Sequence, residues 1–135
     1  MNVVPNEWLL EFLVGDETQR QQARSFLDLL EGRGDLLIVR RHSPFSRKMY
    51  QLMKMAGKPV KRLYLMFFDA NKVRLMHEDE IEPLPDDLRN LTPNDDVYLV
   101  ETALAVPGAV IVTTDAKLKA SLEGKVQMLL LDDFA

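Results

Sequence analysis

The spacing of apolar and polar residues changes along the chain, and each change marks an element. Val3-Val4 lies in a short apolar run that predicts a first strand over Asn2 to Pro5. After Asn6-Glu7, the group Trp8, Leu9, Leu10, Phe12 and Leu13 fits the first turns of a helix. Gly15-Asp16 breaks it and caps the next, whose stripe is Ala23, Phe26, Leu27 and Leu30 at helical spacing. Gly32-Arg33-Gly34 ends that helix, with glycine free to take a positive φ. Leu36 to Val39 reads as a strand buried on both faces. Ser43 then caps a helix with Pro44 at its first position. Met49, Leu52, Met53 and Ala56 form its inner side, and Gly57 stops it. The run Leu63 to Phe68 is uniformly apolar, and Lys61 to Asp69 is read as a helix. Lys72 to Met76 alternates as a strand does. His77 to Asn90 is acidic and carries Pro83 and Pro85, so it reads as a loop with a turn of helix near Asp86 to Leu88.

The stretch Thr92 to Asp115 organises the remainder. Thr92 is placed as N-cap, Pro93 at the first helical position and Asp95 as the capping-box acceptor. Leu99, Ala103 and Leu104 give a core face, and Pro107-Gly108 ends the helix. Ala109 to Val112 is a short buried strand, and Thr113-Thr114-Asp115 leaves it toward a helix over Ala116 to Leu122. Gly124 turns, and Val126 to Leu131 is a last strand. Alternating strands and helices imply an α/β fold with parallel crossovers. In such open sheets ligands bind beyond the carboxyl ends of the strands, so Asp95, Asp96 and Asp115 are expected to meet there.

This stretch resembles the C-terminal half of PIN-domain proteins, the metal-dependent ribonucleases that include VapC-type toxins. In that family an Asp opens a helix with Ala seven residues on, and a strand ending in Thr-x-Asp follows. Asp96 with Ala103, and then IVTTD ending at Asp115, stand in that relation. The resemblance implies one PIN-like domain over residues 1–135, a three-layer α/β/α fold with a central, mostly parallel sheet, and often a homodimer. It also implies an endoribonuclease site that holds Mg²⁺ or Mn²⁺ through Asp96 and Asp115, with no organic cofactor.

Two family acids are not matched. Asn6 stands where the first strand would end in a metal-binding Asp; it offers a carbonyl oxygen but no charge. Glu7, Asp95 and Glu101 are the nearby acids available to supplement the set. The helix after the second strand has Phe45, Ser46, Arg47 and Lys48 where the family carries a Glu. These departures imply weak cleavage, or a fold that binds RNA or a protein without cleaving. Helix capping alone accounts for Asp95 and Asp115, and for Asn6 with Glu7, but less well for Asp96.

Charge sharpens the picture. The net charge is −4, yet between Asp35 and Asp69 there are eight basic residues and no acid. Arg40, Arg41, Arg47, Lys48 and Lys54 are the expected RNA contacts in this segment, which runs on to Arg62. His42 among them is either a proton donor in a phosphate-rich crevice or an ordinary surface side chain. A basic third against an acidic remainder suits a polyanion lying beside a cation-holding site, a solvated helix face, or an acidic protein partner such as an antitoxin. An interaction protein without RNA contact is the third class of function that the charge allows. The chain has no cysteine, which excludes disulfides and thiolate metal sites. No apolar run approaches a membrane span and the first residues lack a basic leader, so a cytoplasmic protein is expected.

Overall fold

A computed structural model describes residues 1–134. In chain order the elements are β1 (Asn2–Pro5), α1 (Trp8–Leu13), α2 (Glu17–Arg33), β2 (Leu36–Arg40), α3 (Pro44–Met55), α4 (Lys61–Met66), β3 (Val73–Met76), α5 (Asp86–Arg89), α6 (Val97–Leu104), β4 (Val110–Thr113), α7 (Ala116–Ser121) and β5 (Met128–Leu130). The strands form one all-parallel sheet in the order β3-β2-β1-β4-β5.

Side chains alternate across a strand, and the alternation builds two cores. Val3, Leu37, Val39, Val73 and Val112 face the layer of α1 to α4, packed on Trp8, Leu9, Leu27, Met49 and Leu63. Val4, Ile38, Met76, Ile111 and Met128 face the opposite layer, packed on Leu99, Val100, Ala103, Leu118 and Leu122. The result is a three-layer α/β/α fold. Crossovers of one hand explain which layer each helix joins. From β1 to β3 the chain steps one way across the sheet. It then returns past β1 to β4 and β5, and helices on a return path lie on the other face. Among the described residues no helix is long and apolar enough to cross a membrane.

Local signals set several boundaries. Asp16 and Gln19 form a reciprocal capping box for α2, and Gly34 closes that helix at φ 70°. Ser43 accepts from the Ser46 amide at the start of α3. The Thr92 to Leu104 segment departs from expectation. Thr92 does not cap; its hydroxyl donates to the Leu88 carbonyl. A 3₁₀ turn over Asn94–Asp96 intervenes, and α6 begins only at Val97, with Asp96 at its N-cap. A local bond back to the last turn of α5, four residues earlier, has captured the expected cap. The inner face of α6 is Leu99, Val100, Thr102 and Ala103, whereas Leu104 is 49% exposed. Ala56, expected on the inner side of α3, is its C-cap and is exposed as well.

These placements predict unequal costs of truncation. Leu9→Ala, at a fully buried position, is expected to lower stability by about 2–5 kcal/mol in chemical denaturation. Leu104→Ala should change it by no more than about 0.5 kcal/mol.

Candidate active site at the carboxyl edge of the sheet

The sheet order reverses between β1 and β4, and the crevice of such a fold opens at that point. Parity decides what faces it. Asn6 follows Val4 by two residues, and Thr113 follows Ile111 by two, so both side chains turn toward the layer that holds α6. They meet there: Asn6 Nδ2 donates to Thr113 Oγ1 at 3.0 Å. The Asn6 carbonyl oxygen accepts from the Glu7 amide at 2.6 Å. Thr113 Oγ1 also accepts from the Asp115 amide. From below, the Trp8 indole donates to the Val112 carbonyl at 2.8 Å and fixes α1 against β4.

Three segments bring carboxylates to this junction: Glu7 after β1, Asp95 and Asp96 before α6, and Asp115 after β4. Asp96 is half-buried, and burial followed by the charges of Asp115, Asp95 and Glu7 holds its carboxyl above the usual range. Asp95 and Asp115 are exposed. One Asp115 oxygen already accepts from the Lys117 and Leu118 amides as the cap of α7. Among the described residues no group of three His, Cys, Asp or Glu is arranged to hold a metal.

Tyr98, in the first turn of α6, belongs to this neighbourhood. Its hydroxyl is buried without a hydrogen-bond partner among the described residues. Burial, then Glu7 and Asp96, push its pKa well above the ordinary phenol value. It stays protonated at any working pH and offers the crevice a donor. The residue types alone gave one clue to it: a polar-tipped aromatic two positions after an acid at a helix start.

The basic segment divides into committed and uncommitted cations. Arg40 leaves β2 on the α6 side, where Nη1 meets Glu101 at 2.9 Å while Nε and Nη2 grip Glu78 at 2.9 and 2.6 Å. Its side chain is only 15% exposed and that of Glu101 11%. The second Glu101 oxygen accepts from the Leu84 amide at 2.7 Å. Glu101 therefore braces α6 to β2 and the acidic loop rather than adding to the Asp96 group. Lys48 reaches Glu11 at 3.1 Å and Glu7 at 4.0 Å. Arg41, Arg47 and Lys54 are exposed and have no acidic partner among the described residues. His42 sits at φ 59°, a turn conformation that His tolerates better than most residues. Its charge acts on Glu78, not on Asp96.

No family model, curated protein or solved structure matches this chain.

Two outcomes follow from these contacts. Arg40→Gln strands the largely buried Glu101, and denaturation should report a loss of about 2–4 kcal/mol, tempered by the exposed Glu78. Asp96 binds its proton more tightly when folded than when unfolded. Its contribution to stability is therefore full below the unfolded carboxylate pKa, about 3.9, and is lost as pH rises through the higher folded value. Asp96→Asn removes that penalty. The variant should melt above the parent at neutral pH, and the gap should close below about pH 4.

Proposed function

We propose that this chain is a divergent PIN-like protein that binds RNA at the carboxyl edge of its sheet and cleaves it weakly with Mg²⁺ or Mn²⁺ at Asp96 and Asp115. The observation that carries this reading is the convergence of acids from three separate segments on half-buried Asp96, whose carboxyl is raised first by burial and then by the charges of Asp115, Asp95 and Glu7. Like charges gathered at the mouth of a parallel sheet are unfavourable unless a cation joins them. The donor chemistry fits a hard divalent ion: carboxylate oxygens of Asp96 and Asp115, with Glu7 and Asp95 beside them. The charge is lower than that of a four-acid set, because Asn6 contributes none.

When bound, such an ion would polarise a phosphoryl oxygen and favour a hydroxide from water. The protein's own groups do the rest. Asp96, half-buried, holds its proton more tightly than an ordinary aspartate. The Tyr98 hydroxyl, buried and without a partner among the described residues, feels the charges of Glu7 and Asp96 and is an available donor on that side. Arg41, Arg47 and Lys54 supply cations for phosphates, and Lys48 tempers the charge of Glu7. Arg40 is a brace in this reading and not a phosphate contact.

A second reading, RNA binding without cleavage, is favoured by Asn6. Its amide and its carbonyl are both engaged within the protein, and one Asp115 oxygen is held by α7. A homodimer or an antitoxin-like partner belongs to the PIN-like assignment and has no separate support.

Incubation of a single-stranded RNA with the purified protein and Mn²⁺ or Mg²⁺ separates the two readings. Cleavage should depend on the ion and fall at least tenfold in Asp96→Asn and Asp115→Asn, with calorimetric ion binding weakened in parallel. Asn at position 115 keeps a capping oxygen, so folding is preserved. Salt-dependent binding of RNA with no ion-dependent cleavage would select the second reading.

A further inference from the structure

Beyond the crevice, α3 and α4 carry a row of aromatic and basic side chains, of which only Tyr64 is partly packed on a core. Tyr50 is 43% exposed and Phe68, just beyond α4, is 70% exposed. Tyr64 lies between them, edge-on to both rings, with centroids 6.0 Å from Tyr50 and 5.2 Å from Phe68. The buried Phe67 backs Tyr50 at 6.2 Å. Helical spacing sets cations into the same row. Arg47 and Lys54 stand three residues before and four after Tyr50, and Lys61 stands three before Tyr64. All three cations are exposed and lack an acidic partner among the described residues.

We propose that the Arg47–Tyr50–Lys54 and Lys61–Tyr64–Phe68 rows form a base-stacking track for single-stranded RNA, leading away from the carboxyl edge of the sheet. The inference rests on the RNA reading above and extends it to the surface of α3 and α4, whose own residues include no acid. Three arguments select this occupant. Rings open to solvent with cations about one turn away are the arrangement that takes unpaired bases and their phosphates together. The track begins at the carboxyl edge of the sheet, because α3 starts just after β2 ends, where Arg41 emerges beside His77. A second copy of the chain is disfavoured, since a two-fold contact would set Lys54 and Lys61 against their own kind with no acid between residues 36 and 68 to offset them. Duplex RNA is disfavoured too, because its bases are stacked already and its shape is read without rings. Exposed Leu65 and Met55 beside the track make an acidic amphipathic peptide the competing occupant, which the experiment distinguishes.

The test measures binding in EDTA, where the crevice cannot cleave, of a uridine dodecamer, an RNA hairpin duplex and polyglutamate to the full chain. The dodecamer should bind at least tenfold more tightly than the duplex. Tyr50→Ala and Phe68→Ser should each weaken it about tenfold, within the usual range for one stacked base. Lys54→Gln with Lys61→Gln should flatten the slope of log affinity against log salt by about 1.4, two phosphate contacts' worth. Both rings are exposed, so unchanged melting temperatures certify the variants, and the lysine pair serves as a second route should either ring variant unfold. Equal affinity for the duplex, polyglutamate that displaces the dodecamer charge for charge, or affinity indifferent to both rings overturns the track. Ion-dependent cleavage with a KM unmoved by Tyr50→Ala and Phe68→Ser would overturn the track alone and leave the crevice reading intact.

Discussion

The fold depends on the central position of β1 in a sheet buried on both faces. Two adjacent residues, Val3 and Val4, must fill opposite cores, and neither is measurably exposed beyond 2%. That requirement fixes the parity of everything that follows on the strand. Asn6 then has to point toward the α6 layer, and β4, hydrogen-bonded alongside, brings Thr113 to the same side. The junction of the two strand ends follows from packing, before any demand of chemistry. Because the chain turns back past β1 at this point, three connecting segments arrive together, and each brings an acid.

Charge at this edge is balanced unevenly. On the β2–β3 side Arg40 is gripped by Glu78 and Glu101, and the Leu84 amide takes the remaining Glu101 oxygen. Those charges satisfy one another. On the β1–β4 side, among the described residues, Lys48 alone is within ion-pair distance of these acids, at the limit of reach from Glu7. The structural brace and the acid-rich edge are thus separated by the width of one strand. Arg40, prominent in a segment otherwise suited to polyanions, serves the first.

The sequence made β1, α2, β2 and the start of α3 legible because their signals are local: an apolar pair, a capping Asp after a glycine, a Ser-Pro entry, a glycine at positive φ. Element order and the α/β class followed from these. The start of α6 was misread because Thr92 has two acceptable partners, and the Leu88 carbonyl, supplied by a neighbouring turn, wins over the cap. Leu104 was misread because helical spacing leaves the width of the buried stripe open, and here Val100 and Thr102 fill it instead. The commitment of Arg40 joins residues 61 positions apart, which no local pattern reveals. Asp96 stood out for a sound reason: capping explains it poorly, and its side chain caps nothing. Tyr98 was missed because its only clue was its residue type beside an acid at a helix start, and spacing cannot distinguish a buried unpaired hydroxyl from an ordinary core ring.

The chain has a single tryptophan, and its indole N–H is fastened to the last turn of backbone before the strand end that carries Thr113 and Asp115. This ring is packed edge-on against Phe12 and Phe26 at 5.3 and 5.1 Å, so it is shielded from quenching by water. Any event at the mouth of the sheet that shifts the end of β4 must stretch or relax that one bond. The protein thereby carries its own optical probe: emission from Trp8 reports on the crevice without a label, against a dark background.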